Sequence, residues 1–197
     1  MKIYQELEQG SEEWLKLRLG KFGGTDAQAV ATNGKGLETL CFEKVGEIIT
    51  GRLKEQYKNE DMQRGNDLEN TARLAYEMET SNIVTKVGYI ELNEFIGVSP
   101  DGLVGEDGMI EIKCPCDAVF VRFLYDKKID TKYEWQMQHQ MFVSGRKWVD
   151  YVLFNDNLNK IEVTRVDRDE AKIEKLRIGT EAGVLKIKEI LSKVKEN

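Results

Sequence analysis

Histidine, cysteine and proline are scarce in this chain of 197 residues, which contains one, three and two of them respectively. Zinc hydrolases, histidine-metal nucleases and Ser-His or Cys-His triads that need further histidines therefore lose support. The single histidine, His139, is interpreted as a helix-packing residue. Cys41, Cys114 and Cys116 are too few and too unfavourably spaced for a disulfide framework, so we predict reduced thiols.

Long apolar runs are also missing. No stretch approaches the length of a membrane span, and the opening MKIYQELEQG has no apolar core of a secretion signal, so we expect a soluble intracellular protein. With no obvious linker and 41% hydrophobic residues, we predict one domain over residues 1–197. The net charge of −6 argues against a protein that coats DNA stoichiometrically, although an enzyme can keep a local basic groove on an acidic surface.

The segment FIGVSPDGLVGEDGMIEIKC is predicted to form a β-hairpin, with strands at 95–104 and 109–114 around a Gly-Glu-Asp-Gly turn. Because side chains alternate along a strand, Glu111 and Lys113 point the same way, towards Asp101. Two carboxylates on rigid strands suit Mg²⁺, and a lysine beside them can activate a water that attacks a phosphodiester. The alternative is an ordinary Asp-Gly turn followed by an exposed Glu-x-Lys strand.

A predicted helix, DMQRGNDLENTARLAYEME, precedes this hairpin. Its apolar stripe recurs at steps of three and four residues, through Met62, Gly65, Glu69, Ala72 and Tyr76. A carboxylate on a buried face is costly unless it is paired or bound to a metal, so Glu69 needs a cation or hydrogen-bond donors. The alternative is a salt bridge with Arg64 or Arg73.

A second predicted helix, TKYEWQMQHQMFVSG, follows the hairpin. Gln138 lies among bulky neighbours, and its amide can both donate and accept hydrogen bonds, which suits orienting a water or a phosphate oxygen. Taken alone, it would be an ordinary helix glutamine.

Further strands are expected at 87–92, 148–154 and 161–166. The final segment, 169–195, is interpreted as a core-facing helix pair broken near Gly179 or Gly183.

The order of these segments resembles the PD-(D/E)xK nucleases, specifically the lambda exonuclease and YqaJ-like viral recombinase family. The resemblance covers most of the chain and is carried by GSEEWLKLRLGKFGGTDA, RGNDLENTAR, VSPDGLV, IEIKCP, WQMQHQMFV and WVDYVLF. It implies an α/β (α+β) fold of the restriction-endonuclease type, with a mixed central β-sheet flanked by helices.

The resemblance also assigns roles to residues. Asp101, Glu111 and the backbone carbonyl of Ile112 match the ligands of two Mg²⁺ ions, for which Mn²⁺ is expected to substitute. Lys113 matches the catalytic lysine. Glu69 matches an acid close to the metals and the attacking water, and Gln138 matches the glutamine that completes the site.

The opening segment gains a role from the same family. Ser11 is predicted to cap a helix that ends at Gly20, with Arg18 in its last turn, and a second helix opens at Gly-Gly-Thr-Asp. The family's pocket for a 5′-phosphate then falls on Arg18, Thr25 and Ser99. Without the resemblance, Arg18 would be a partner of the helix dipole and Thr25 merely a cap.

The implied function is a Mg²⁺-dependent exonuclease that degrades linear double-stranded DNA 5′-to-3′ and leaves 3′ single-stranded tails for phage-type recombination. The implied partners are DNA ends and a single-strand annealing protein. The implied assembly is a ring-shaped homotrimer in the cytoplasm of a bacterial or phage-infected cell. The alternatives are a structure-specific or restriction-type endonuclease and a catalytically silent DNA-binding module.

Overall fold

A computed structural model describes residues 1–54 and 60–195 of the chain. The described residues form eight strands: β1 Lys2–Tyr4, β2 Val84–Thr85, β3 Tyr89–Asn93, β4 Ile96–Val98, β5 Gly102–Val104, β6 Gly108–Lys113, β7 Trp148–Asn155 and β8 Lys160–Asp167. They also form a 3-10 turn at Gly24–Asp26 and seven α-helices: α1 Glu12–Arg18, α2 Ala27–Thr32, α3 Lys35–Thr50, α4 Glu60–Thr80, α5 Asp117–Asp126, α6 Thr131–Ser144 and α7 Glu170–Lys195. None of the described helices is long and apolar enough to cross a bilayer.

The strands form two sheets. The larger has the order β2-β5-β6-β7-β8, and the smaller has the order β1-β3-β4. The pairing of β6 with β7 is parallel, and the other pairings in the larger sheet are antiparallel. A parallel pair needs a long crossover, which α5 and α6 supply. This mixed central sheet with flanking helices confirms the predicted fold class.

The predicted strand at 95–104 is two strands in the structure, β4 and β5, which belong to different sheets. The Ser99-Pro100-Asp101 link joins them and is not itself part of a strand. Proline has no backbone N–H to donate to a ladder, so pairing is interrupted here. Asp101 therefore lies at the junction between the two sheets.

The two faces of β6 pack against different helices, as period-two alternation predicts. Met109 belongs to the core cluster that contains Met137 and Met141 of α6. Ile110 and Ile112 belong to the second cluster, which contains Ala72 and Tyr76 of α4. Glu111 shares a face with Met109 and is thereby directed towards α6.

The prediction of a broken C-terminal helix pair is wrong, because α7 is one continuous helix of 26 residues. A Cβ atom at Gly179 would lie 1.9 Å from the carbonyl oxygen of Val30, and one at Gly183 would lie 2.7 Å from the ring of Phe22. A glycine inside a helix costs up to about 1 kcal/mol relative to alanine. Here the lack of side chains at the two glycines allows α7 to pack closely against Val30 of α2 and against Phe22.

Candidate active site

The predicted hairpin brings Asp101, Glu111 and Lys113 together. β5 and β6 pair antiparallel with Gly102 opposite Ile110, which places the residue before β5 across from Glu111. The Asp101 carboxylate accepts a hydrogen bond from the backbone N–H of Ile112 at 2.6 Å. Lys113 Nζ donates to Glu111. The two carboxylates and the ammonium group therefore form one cluster at the end of β6.

Glu111 is the buried member of this cluster, with only 1% of its surface exposed. Besides Lys113, it accepts hydrogen bonds from Gln136 Nε2 at 2.6 Å and from Gln140 Nε2. An ionised carboxylate offers about four lone-pair positions. Three donors consequently leave Glu111 room for one further partner, while the two amides fix the orientation of the carboxylate.

Gln138, which the sequence pattern favoured for the site, lies elsewhere. Its Nε2 donates to the carbonyl of Asp167 at 2.8 Å, and its Oε1 accepts from the N–H of Asp169 at 2.9 Å, so it fastens the junction between β8 and α7. Successive helix residues turn by about 100°, which directs Gln138 away from the side shared by Gln136 and Gln140. The signal for the two glutamines that contact Glu111 is their spacing of four residues.

Glu69 lies near the cluster but is half-buried rather than enclosed, with 39% of its side chain exposed. It borders the same cavity as Asp101, and its charge acts on the Asp101 carboxyl. The Arg73 guanidinium is 3.9 Å away, a long ion pair. Arg64, the other predicted partner, instead contacts Asp156 and the carbonyl of Pro115.

The helical stripe that suggested a buried Glu69 is only partly buried. Ala72 and Tyr76 are fully enclosed, whereas Gly65 is partly exposed. The side chain of Met62, the first member of the stripe, lies outside the described residues.

The electrostatics of the cluster follow from placing two carboxylates side by side. Burial and the charge of Glu111 raise the pKa of Asp101 well above its usual range, because a second buried negative charge is unfavourable. Burial alone would lower the pKa of Lys113, but Glu111 and Asp101 outweigh it and raise that pKa instead. The two carboxylates therefore favour the charged form of Lys113.

These donors fit a divalent cation of the Mg²⁺ type in part. Among the side chains that the structure describes, no three of His, Cys, Asp or Glu form a metal-binding group. Two carboxylates and a backbone carbonyl are nevertheless hard oxygen ligands, and Mg²⁺ usually keeps several waters beside one or two carboxylates. A cation would also relieve the repulsion between Asp101 and Glu111.

A cavity of about 1220 Å³ opens beside Asp101. Its wall includes the predicted phosphate ligands Arg18 and Thr25 together with Glu69 and Asp101. Six cations border it: Arg18, Lys21, Lys44, Lys54, Arg73 and Lys86. Seven acids border it as well: Glu6, Glu8, Asp26, Glu43, Glu47, Glu69 and Asp101. One cavity thus joins the predicted phosphate ligands Arg18 and Thr25 to Asp101, and its wall carries charges of both signs.

Arg18 is the last residue of α1, a helix whose predicted cap is confirmed by the hydrogen bond from the N–H of Trp14 to Ser11 Oγ at 3.2 Å. The guanidinium lies 4.0 Å from the ring centre of Trp14, a cation–π contact. Burial lowers the pKa of Arg18, although arginine still carries its charge at neutral pH. Thr25 is exposed on the 3-10 turn.

Ser99, the third predicted phosphate ligand, is not among the described residues that border the cavity. Its hydroxyl oxygen accepts a 2.8 Å hydrogen bond from the indole Nε1 of Trp14. Trp14 does border the cavity, so Ser99 is connected to it through the indole.

The YqaJ-like viral recombinase domain family matches residues 13–147, which include all but the first residue of α1, the hairpin and α6. The chain belongs to this family. Its structure is similar to that of an alkaline exonuclease from Laribacter hongkongensis, with a TM-score of 0.87 and 34% identity over 94% of this chain and 97% of the other. The same exonuclease in complex with dAMP matches with a TM-score of 0.86 and again 34% identity, over the same shares of the two chains.

A phage-related exonuclease from Haemophilus somnus 129PT shares the fold, with a TM-score of 0.67 and 17% identity over 88% of this chain and 96% of the other. No curated protein sequence matches. The family match confirms the predicted resemblance, and it covers the segments that position the acidic cluster.

Proposed function

We propose that this protein is a divalent-metal-dependent exonuclease that degrades linear double-stranded DNA from its 5′ ends and leaves 3′ single-stranded tails. The observation that carries the proposal is the convergence of Asp101, Glu111 and Lys113 beside a cavity that Arg18 and Thr25 also border. Family membership and a relative of 34% identity that is an alkaline exonuclease support a nuclease of this kind.

Asp101, Glu111 and the carbonyl of Ile112 would hold the metal, with Glu69 close by. Mg²⁺ bound there supplies Lewis-acid polarisation of the scissile phosphate. Asp101 has only one of its oxygens bonded to Ile112, which leaves the other for a ligand. Gln136 and Gln140 hold the Glu111 carboxylate in one orientation, and this preorganisation avoids reordering the site during the reaction.

Lys113 lies beside the proposed metal ligands, because its Nζ donates to Glu111. An ammonium group has three N–H donors and no acceptor. It can donate hydrogen bonds to the attacking water or to a phosphate oxygen that gains negative charge. Glu69, which is half-exposed on the cavity wall, is placed to orient the water.

Arg18 and Thr25 would receive the terminal 5′-phosphate. Both border the cavity that also contains Asp101, so a strand could occupy the two places at once. The guanidinium offers two parallel hydrogen bonds to a phosphate, and the Trp14 ring beneath it limits its movement. This arrangement favours phosphorylated ends and gives the proposed polarity.

The family resemblance extends the proposal to a ring-shaped homotrimer and to a single-strand annealing protein as partner. A ring around DNA would retain substrate although the net charge is −6. Native mass spectrometry gives the number of subunits directly.

Activity is tested with linear duplexes that carry 5′-phosphoryl or 5′-hydroxyl ends and with covalently closed circles, each in Mg²⁺ and in EDTA. We expect progressive loss of linear DNA in Mg²⁺ only, mononucleotide products and intact circles. Lys113→Ala is the catalytic control, and we expect it to lose several orders of magnitude in rate while Asp101 and Glu111 still bind Mn²⁺.

Other outcomes would identify the alternatives. Cut circles would indicate an endonuclease, and DNA binding without cleavage would indicate a silent module. Equal loss of Mn²⁺ binding in Asp101→Ala and Lys113→Ala would contradict the separate roles of these two residues.

A further inference from the structure

Two side chains of the N-terminal segment hold the link that carries Asp101. Trp14 Nε1 donates to Ser99 Oγ at 2.8 Å and to the carbonyl of Gly88 at 3.2 Å. Gln9 Nε2 donates to the carbonyl of Pro100 at 3.2 Å and to the carbonyl of Val87 at 3.1 Å. Ser99 and Pro100, the two residues before Asp101, are therefore each bonded to a side chain from the start of the chain.

These contacts matter because the link lies outside both sheets. Ser99, Pro100 and Asp101 belong to no strand, and proline has no N–H for a ladder bond. Asp101 itself is fixed on one side by the N–H of Ile112. On the other side, its backbone position depends on what holds Ser99 and Pro100, which are the indole N–H and the Gln9 amide.

Trp14 also contacts the predicted phosphate ligand. Its ring lies 4.0 Å from the Arg18 guanidinium, while its N–H reaches Ser99, two residues from Asp101. When an anion binds Arg18 and holds its guanidinium in place, the Trp14 ring beside it is held more firmly. The indole N–H then holds Ser99 more firmly as well. Such a connection makes two binding events interdependent, and thermodynamic linkage requires the effect to be equal in both directions.

We propose that Trp14 is a positioning residue that couples the binding of a terminal phosphate at Arg18 to the affinity of the Asp101 cluster for a divalent cation. The inference rests on the proposed roles of Arg18 as a phosphate ligand and of Asp101 as a metal ligand. Gln9 has a different part in it. Its Nε2 donates to the carbonyls of Val87 and Pro100, and neither bond involves Trp14 or Arg18, so Gln9 supports the position of Asp101 whether or not the phosphate is present.

The coupling is measured by calorimetric titration of Ca²⁺, a hard oxygen-seeking cation, into the protein bound to 5′-phosphoryl or to 5′-hydroxyl duplex, after subtraction of each duplex alone. In the wild type we expect Ca²⁺ to bind about twofold to tenfold more tightly with the phosphorylated duplex, the range that the net contribution of one hydrogen bond allows. Trp14→Phe keeps an aromatic ring for Arg18 and removes the N–H donor together with part of the indole. It should reduce the ratio of the two affinities to about one while preserving the preference for phosphorylated ends.

The matched control is Trp148→Phe. Trp148 also has an arginine stacked on its ring, Arg165 at 3.6 Å, but it does not border the cavity, so its variant should keep the coupling. Gln9→Leu should weaken Ca²⁺ binding by the same factor with both duplexes. Its control is Gln63→Leu, since Gln63 borders the cavity but bonds to Asp67 of its own helix.

Equal Ca²⁺ affinities with the two duplexes in the wild type would overturn the proposal, and so would full coupling in Trp14→Phe. Melting temperatures of all four variants show whether a loss reflects misfolding. Because the titration measures binding and not turnover, a protein that shows coupling but cleaves no DNA contradicts the proposed function alone, whereas cleavage without coupling contradicts this inference alone.

Discussion

The two carboxylates of the cluster should respond in opposite ways to loss of their charge. Glu111→Gln removes the partner of Lys113 inside the fold and turns an amide N–H₂ towards a glutamine that is itself a donor. Asp101→Asn keeps an oxygen for the N–H of Ile112 and removes the repulsion that raises the pKa of Asp101. We therefore expect the first variant to be destabilised and the second to be as stable as the wild type or more stable in metal-free buffer.

The magnitude follows from burial. Removing one partner of a buried ion pair costs about 3–5 kcal/mol. For a chain of this size, that corresponds to a fall in melting temperature of roughly 6–20 °C. Lys113 has 27% of its side chain exposed and keeps part of its hydration, so we expect the lower half of both ranges.

Thermal unfolding in EDTA and in Mg²⁺ is the assay. In EDTA, Glu111→Gln should melt well below the wild type and Asp101→Asn should not. Mg²⁺ should raise the melting temperature of the wild type but not that of either variant, since both lose a ligand. Equal shifts for the two variants in EDTA, or a Glu111→Gln protein that melts like the wild type, would refute this account of the cluster.

Four further outcomes are expected. Glu69→Gln should cut activity severely at an unchanged melting temperature, because its long ion pair contributes little; lower stability with intact activity per folded molecule would instead favour a structural role. Arg18→Ala should abolish the difference between single-turnover rates on 5′-phosphoryl and 5′-hydroxyl duplexes and Arg18→Lys should keep part of it; an unchanged preference in the alanine variant would disprove the phosphate role. Burial lowers the pKa of His139 to about 4, so on acidification the unfolded chain binds a proton on this imidazole before the folded chain does. The free energy of unfolding should therefore fall by about 3 kcal/mol as the pH drops from about 6.5 to 4. In urea unfolding, His139→Leu should lack this loss, and parallel pH curves for the variant and the wild type would contradict it. Gly179→Ala should destabilise the fold by about 1–3 kcal/mol, because its Cβ meets a carbonyl of α2. Gly65→Ala, in open space on α4, should stabilise the fold. Equal changes in the free energy of chemical unfolding would show that helix propensity alone determines the effect of both substitutions.

The sequence predicted those parts of the site that depend on local geometry. Alternation along β6 directs Glu111 and Lys113 to one face, and the short turn at 105–107 brings β6 back so that Glu111 lies across from Asp101. These relations hold for any antiparallel hairpin, so they needed no knowledge of the rest of the chain. The cap at Ser11 was predictable for the same reason, since it involves residues three apart.

Helix periodicity predicted which residues share a side, but not what each side faces. Gln138 and the pair Gln136 and Gln140 are all plausible site residues on an isolated helix, and only the packing of α6 against β6 shows that the pair meets Glu111. Gly179 likewise predicted a break in α7, whereas the structure shows that a glycine is needed there because Val30 lies so close.

The sequence by itself determined the hairpin, the convergence of Asp101, Glu111 and Lys113 on it, and the family resemblance, because these depend on neighbours in the chain. Tertiary structure alone decided that Glu111 is enclosed by three donors, that Ser99 accepts a hydrogen bond from Trp14, and that Arg18 and Asp101 border one cavity. Those facts join residues that are up to about ninety positions apart. Their distances are set by how sheets and helices pack, and the local rules of helices, strands and turns contain no information about that packing.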